Sequence, residues 1–416
     1  MPPPGAPRIA AYTWTRLWRP ELLGGLVGGI TGLASFVAMR SLGAPDWTPQ
    51  FLAVASQSVW LVAPGLEAFT SRLDARRTIL WLGFLSYVPL LLLAFLPVTP
   101  TAEGHGAGVG PWGWFVAAIV VLGALDGAFL PVRGALLRGN FPDEVRGRFF
   151  GWMSAVSKAA TVASSKVGGV LLDLDPRWLR VVFPLAGVAG IAKHVSMARI
   201  RWHRSEAVRA EDHDDTAGRF VLRLREGWAV LRDDRAFLVY EIGFMLYGLG
   251  FLSSHPLLAD FMNRTLRLSY DEATWALGFA EPLSYLAVAL LVGPVVHRAG
   301  IVVVTCGSFL VLTTFFLALA FVETPFAFVV LHFVFGASMA GVNLGWNLGP
   351  LRFAPAGKAR AYSAVHLLMV GVRIAIAPFF GYWLAHWAGV RMAFGVSAVL
   401  VAAGAVTTGL LGRRIR

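Results

Sequence analysis

Apolar stretches of about 20 residues alternate with short polar breaks along the whole chain. A helix rises 1.5 Å per residue, so about 20 residues cross a hydrocarbon layer of ~30 Å. The pattern predicts twelve such helices, at roughly 20–42, 48–69, 77–98, 112–137, 148–173, 178–197, 236–258, 272–296, 299–322, 325–350, 359–385 and 390–411. The opening residues, MPPPGAPRIAAYTWTRLWRP, lack the short apolar core and small-residue cleavage site of a signal peptide. The first apolar run is therefore expected to be a retained span.

Two runs carry a polar stripe. In the fifth, Ser154, Ser157 and Lys158, Thr161, Ser164 and Ser165, and Gly168 and Gly169 recur every three or four residues. That is one helix face, and Val156, Ala163, Val167 and Val170 lie opposite it. The eleventh run repeats the stripe with Ser363, His366, Val370, Arg373, Ala377 and Gly381. Helices of this kind inside a membrane are expected to border a water-filled path.

Composition agrees with the pattern. The chain of 416 residues is 56% hydrophobic and 14% charged, where a soluble protein carries about a quarter charged residues. An all-α polytopic membrane protein follows. The net charge of +12 would suit nucleic acid if it were a patch, but it is distributed as a topology signal. With the N-terminus placed in the cytoplasm, the inner breaks hold 25 Lys and Arg and the outer ones 6. This asymmetry orients both termini inside; the expected location is a bacterial cytoplasmic (inner) membrane, with no nucleic-acid partner. The single cysteine, Cys306, excludes an intramolecular disulfide.

The longest charged break, Arg199–Arg235, divides the chain into a six-span half (1–198), a cytoplasmic linker (199–235) and a second six-span half (236–416). Within the linker Phe220, Leu224, Trp228 and Leu231 share one helical face, which predicts an interfacial amphipathic helix. The acidic run EDHDD (211–215) has no second ligand cluster nearby and reads as solvated linker, so no metal is expected. At a shift of 212 residues FPDEVRGRFFG (141–151) meets FAPAGKARAYS (353–363). Phe141 then meets Phe353, Arg146 meets Lys358, Arg148 meets Arg360 and Gly169 meets Gly381, each pair around the fifth span of its half.

Two tight basic turns lie between spans 2 and 3 and between spans 8 and 9. GPVVHRAG keeps Gly293, Arg298 and Gly300 of a G-x-x-x-D-R-x-G-R-R-like turn, with His297 at the acidic position. SRLDARR keeps Arg72, Arg76 and Arg77, lacks the glycine, and has its acid, Asp74, displaced. With two six-helix halves and a long central loop, the chain resembles the major facilitator superfamily over nearly its whole length. APFFG (377–381) matches the family's glycine–proline helix bend, and its repeat partner SKVGG (165–169) has Lys166 in place of the proline. The resemblance implies twelve transmembrane helices in two pseudo-symmetric halves, alternating access around a mid-membrane site, and gating roles for these turns.

Charge inside a span costs ~2.5–3.5 kcal/mol at the bilayer centre, so such residues face protein or water. The candidates for substrate binding or coupling are Asp126, Arg133, Lys158, Lys166, Glu281 and Arg373, with the polar Asn343, Asn347 and His366. Asp126 and Lys158 match in depth, as do Glu281 and Arg373, and each pair reads equally as substrate contact or packing pair. Lys166 is placed to snorkel toward the interface, and His366 also reads as a helix-packing histidine.

No G-x-x-x-x-G-K-[ST] loop occurs, which disfavours ATP-driven pumping, and no H-E-x-x-H or clustered catalytic set marks an enzyme or a cofactor. The expected activity is secondary transport of a small solute. The excess of cations among the candidates leans toward an anionic or carboxylate-bearing one. The alternatives are a proton-coupled exporter of amphipathic compounds with Asp126 or Glu281 as proton carrier, a non-transporting receptor or scaffold on the same fold, and a membrane-embedded enzyme. The partners expected are the solute, a coupling proton and the lipid bilayer, for a monomer. Reporter fusions after Arg199 and Arg414 should read cytoplasmic and one at Gly106 external; an external reading at the central linker would overturn the two-half topology.

Overall fold

The computed structural model of the chain describes residues 8–57, 75–98, 110–129, 133, 140, 141, 143–201, 228–355 and 358–414, which are helical with no strand among them. Ten helices are long and apolar enough to cross a membrane among these residues. Of the two further expected spans, 48–69 falls largely outside the described residues. The other, 148–173, lies in a helix whose two lysines and row of hydroxyls make it less apolar than its neighbours. Most of the linker lies outside the described residues too, including 211–215, Phe220 and Leu224.

The chain forms two compact units. One comprises residues 1–48, 55–217 and 269–274, the other residues 49–54, 218–268 and 275–416. The first contains α1 (Arg8–Thr31), α2 (Ala34–Leu42), α4 (Ala75–Leu92), α5 (Pro111–Ala128), α6 (Asp143–Leu174) and α7 (Leu179–Ala198); α3 (Thr48–Gln57) is shared between them. Here α1 packs on α6 and α7, and α4 on α5 and α7.

α1 starts twelve residues before the expected span. Its early turns are too mixed in polarity to register as an apolar run. Even so, Ala10 and Leu17 are buried with Phe141, Phe149, Met153 and Met197 in a core at one end of the unit. Along the α1–α6 seam, small residues let the backbones approach, the means by which helices associate in lipid. A Cβ on Gly25 would lie 2.7 Å from the Ala160 methyl, and one on Gly29 would lie 2.8 Å from the Ser165 nitrogen.

The second unit holds α8 (Arg235–Ser254), α10 (Glu281–Ala299), α11 (Ile301–Leu319), α12 (Pro325–Phe353), α13 (Ala359–Ala388) and α14 (Val390–Arg414). α8 packs on α13 and α14, α11 on α12 and α14, and α10 on α12. Asp234 caps α8 by accepting the Phe237 N–H at 2.9 Å, and its other oxygen takes the Tyr362 hydroxyl at 2.9 Å, which ties α8 to the start of α13. Leu231 is buried there beside Phe237 and Tyr362, whereas Trp228 is exposed. Gly300 (φ 81°) and Gly389 (φ 89°) make the tight turns into α11 and α14, where a side chain would be strained.

α9 (Tyr270–Thr274) belongs to the first unit although its neighbours in sequence belong to the second. Ser269 and Glu272 form a reciprocal capping box, with N–H to carboxylate at 2.8 Å and N–H to hydroxyl at 3.1 Å. The Asp173 carboxylate of α6 accepts the Tyr270 and Asp271 N–H groups at 2.7 and 2.6 Å. Lys166 pairs with Asp271, and Ser41 bonds the Tyr270 hydroxyl at 2.5 Å. π-helical turns at Phe261–Thr265 and Trp275–Ala280 stand before and after this segment.

The glycine seam gives a direct test. Gly25→Val should lower stability by about 1–3 kcal/mol through overpacking against α6, read as a fall in the thermal unfolding temperature of the purified protein. Gly151→Ala, with nothing within 4 Å of the new methyl, should be neutral or slightly stabilising.

Candidate functional site

Among the described residues, the buried carboxylate and guanidinium of the second unit lie where α8 meets α13. Glu241, Phe244 and Gly248 recur at helical spacing on α8, as do His366 and Arg373 on α13, so two matching faces meet. His366 Nδ1 lies 2.9 and 3.0 Å from the two carboxylate oxygens of Glu241, and both residues are buried. Carboxylate and imidazole share one hydrogen across this contact. Nε2 of the same ring is buried without a hydrogen-bond partner. The Trp346 ring closes on the imidazole with centroids 5.7 Å apart.

Two turns along α13, Arg373 is 6% exposed. Its Nη1 donates to the Phe244 carbonyl at 2.6 Å, its guanidinium lies 5.6 Å from the Tyr247 ring centroid, and Nε has no acceptor. Gly248 supplies the room, because a Cβ there would collide with the Arg373 side chain. The depth match with Glu281 does not translate into contact with Arg373. The carboxylate that acts on Arg373 electrostatically is Glu241, while Glu281 opens α10 with its carbonyl accepting Ser284 Oγ at 3.1 Å. Depth along a helix fixes one coordinate only; the azimuth decides the partner. On α12, Asn347 donates to the side chain and the carbonyl of Asn343 at 2.7 Å, and Asn343 donates to Tyr285 at 3.1 Å.

In the first unit the expected Asp126–Lys158 pair is replaced. Asp126 takes Lys193 of α7 at 2.8 Å and the Tyr87 hydroxyl of α4 at 3.1 Å, with His194 Nε2 at 3.8 Å. The Lys193 ammonium also lies 5.8 and 5.7 Å from the Tyr87 and Phe129 ring centroids. Lys158 sits half-buried on α6. Part of the stripe beside it is a packing seam, since Thr161 and Ser164 donate to the Gly25 carbonyl at 3.2 and 3.4 Å. Arg133 pairs with Glu21 of α1, and Lys166 with Asp271.

Sequence reasoning passed over Glu21, Lys193 and Glu241 as partners because each lies within about two turns of an expected span end and reads as interfacial. Glu241 did leave a signal, as the one charged residue in the seventh apolar run. Of the turn residues, Arg72 and Asp74 lie outside the described residues, and Arg76 and Arg77 are exposed at the start of α4. Gly293 lies within α10, His297 and Arg298 are exposed in its last turn, and Gly300 makes the turn that follows.

The sequence profile of the Major Facilitator Superfamily matches residues 22–372. The chain belongs to the major facilitator superfamily. Its fold is similar to that of a mutant of the nucleoside transporter NupG, with a TM-score of 0.69 and 13% identity over 96% of this chain and 99% of that one. A mutant peptide transporter POT gives 0.69 and 13% over 98% of each chain. A structure described under substrate recognition in proton-dependent oligopeptide transporters gives 0.68 and 15% over 98% and 100%. No curated protein matches the chain. Among the described residues of the second unit, this family member holds a buried carboxylate–imidazole pair and, two turns along α13, a buried guanidinium.

The Asp126 cluster yields a double-mutant test. Asp126→Asn or Lys193→Met alone should destabilise by roughly 1–3 kcal/mol, because each leaves an uncompensated group among aromatic rings. The double variant should recover most of that loss in thermal unfolding. Additive losses would show that the two groups do not act as a pair.

Proposed function

We propose that this superfamily member is a secondary transporter whose solute carries an anionic group, a carboxylate or its equivalent, bound at Arg373. The observation that supports the reading is the guanidinium buried at the α8–α13 seam with an N–H that has no acceptor. Leaving a buried donor unmade costs ~1–3 kcal/mol, and guanidinium does not escape the cost by losing its proton. A carboxylate offers two parallel acceptors that match its fork. Asn343, Asn347 and Tyr285 supply neutral polar groups suited to the rest of a small solute. The basic turns and both termini are assigned to the cytoplasmic side of a bacterial inner membrane, and the transporter to a monomer.

Asp126, one of the two proton carriers of the exporter alternative, fits that role less well. Asp126 is already held by Lys193 and Tyr87. Lys158, Lys166 and Arg133 are assigned packing and orienting roles, since Lys166 and Arg133 have carboxylate partners.

The test is binding of labelled mono- and dicarboxylates to the purified protein. Arg373→Lys should weaken binding by about tenfold or more while the protein stays folded, because the ammonium keeps the charge and loses the fork. Arg373→Ala should abolish binding. Unchanged affinity in a folded Arg373→Ala protein would remove the site from this residue.

A further inference from the structure

We propose that the N-terminal turns of α1, together with Arg201 just past the end of α7, form a binding site for an anionic phospholipid of the adjacent membrane leaflet. The site lies in the first unit and is independent of the solute bound at Arg373.

α1 begins about three turns before the apolar run that crosses the membrane, and those turns have two unlike faces. Ala10, Thr13, Leu17 and Pro20 are buried against the unit. Arg8, Arg16 and Arg19 are exposed. With Tyr12 they fall at i, i+4, i+8 and i+11, a single stripe about 16 Å long. No Asp or Glu occurs in residues 1–20, and the acid that follows, Glu21, is taken by Arg133. A solvated helix face ordinarily intersperses both signs of charge, whereas this stripe carries one. At its inner end Trp18 is 41% exposed, with the Arg19 guanidinium 5.5 Å from its ring centroid. An exposed indole where a span begins marks the headgroup level, so the stripe passes through the layer that holds the lipid phosphates.

Two of the cations are set in place before any ligand arrives. Tyr12 packs on the buried core at this end of the unit, which fixes its ring. The Arg16 guanidinium lies over that ring at 3.9 Å from the centroid, and the Arg201 guanidinium lies 5.9 Å from it. Arg201 is brought there by Asn140, a buried side chain whose amide donates to Thr13 Oγ1 at 2.9 Å and to the Arg201 carbonyl at 2.8 Å. Stacking on a ring uses the face of a guanidinium and leaves the N–H groups in its plane available. Among the described residues, neither Arg16 nor Arg201 has a carboxylate partner.

A phosphate diester supplies what this arrangement lacks, a permanent negative charge on paired oxygens that fit the guanidinium fork. A zwitterionic headgroup offsets that charge with its own ammonium. The acyl chains hold a lipid phosphate at the depth of Trp18, while a free phosphate has to be captured from dilute solution. Charge and depth together therefore select an anionic lipid.

The experiment is native mass spectrometry of the purified full chain in micelles doped with phosphatidylglycerol or with phosphatidylcholine of the same acyl chains. Folding of each variant is checked by thermal unfolding. The first phosphatidylglycerol should bind about tenfold or more tightly than phosphatidylcholine, since each arginine at a membrane surface contributes about fivefold to anionic-lipid affinity. Arg16→Gln should lose about fivefold, and Arg16→Gln/Arg201→Gln should bind the two lipids alike. Tyr12→Leu keeps every charge and removes the ring, and should weaken binding by about two- to fivefold. Arg298→Gln, an equal loss of charge at an exposed position of the second unit, should leave the first binding event unchanged. Equal affinity of the wild type for the two lipids overturns the proposal. So does a double variant that loses no more than Arg298→Gln, or a Tyr12→Leu protein that loses nothing, because either outcome reduces the site to diffuse surface charge. Glycerol phosphate carries the headgroup charge without the chains; if it displaces phosphatidylglycerol at equal concentration, the occupant is a soluble phosphate and the lipid assignment falls.

Discussion

Hydrocarbon offers neither a hydrogen-bond partner nor a counter-charge, so each ionised group placed within a span has to find its complement on another helix. That requirement organises much of the buried polar structure of this chain. Arg133 meets Glu21, Lys193 meets Asp126, Lys166 meets Asp271 and His366 meets Glu241, and each pair joins elements far apart in sequence. Hydroxyls such as Thr305, Ser308 and Thr408 instead return to the carbonyl four residues earlier on their own helix. Arg373 departs from both patterns, because its hydrogen bond goes to a neutral carbonyl and its charge is compensated at a distance. A permanent cation held this way keeps one buried N–H without an acceptor.

The two units use the same seam for different ends. At the shift of 212 residues, Thr161 on α6 corresponds to Arg373 on α13. Thr161 donates to the Gly25 carbonyl of α1, and Arg373 donates to the Phe244 carbonyl of α8. Each sits against a glycine of the facing helix, Gly28 for Thr161 and Gly248 for Arg373. One geometry accommodates a short neutral group in the first unit and a long charged one in the second. The asymmetry of chemistry between the units therefore needs no difference in helix pairing.

Much of the architecture was legible because the membrane imposes a strong periodic constraint on sequence. Apolar run length located the helices, and Gly300 stood in one of the turns read from the sequence. Boundaries were less legible where a helix continues beyond the apolar region, as α1 does through Trp14 and Arg16. In α6 the lysines and hydroxyls that drew attention also weaken the apolar signal. Site residues were legible in kind and not in partner. Arg373 and His366 stood out as costly groups on one stripe, but the rotation of α8 that brings Glu241 to them leaves no mark on hydropathy. Asp126 was matched to Lys158 by depth, while the partner that side-chain direction selects is Lys193.

The composition of the units bears on how the chain is made. Residues 49–54 belong with the second unit and residues 269–274 with the first. A ribosome delivers the first unit's contiguous part by residue 217, yet the backbone amides capped by Asp173 and the carboxylate paired with Lys166 belong to Tyr270 and Asp271. These contacts with α9 can form only once synthesis has carried the chain through the whole of α8. Completion of the first unit is thus an event in the synthesis of the second, and the order of assembly is written into a six-residue exchange.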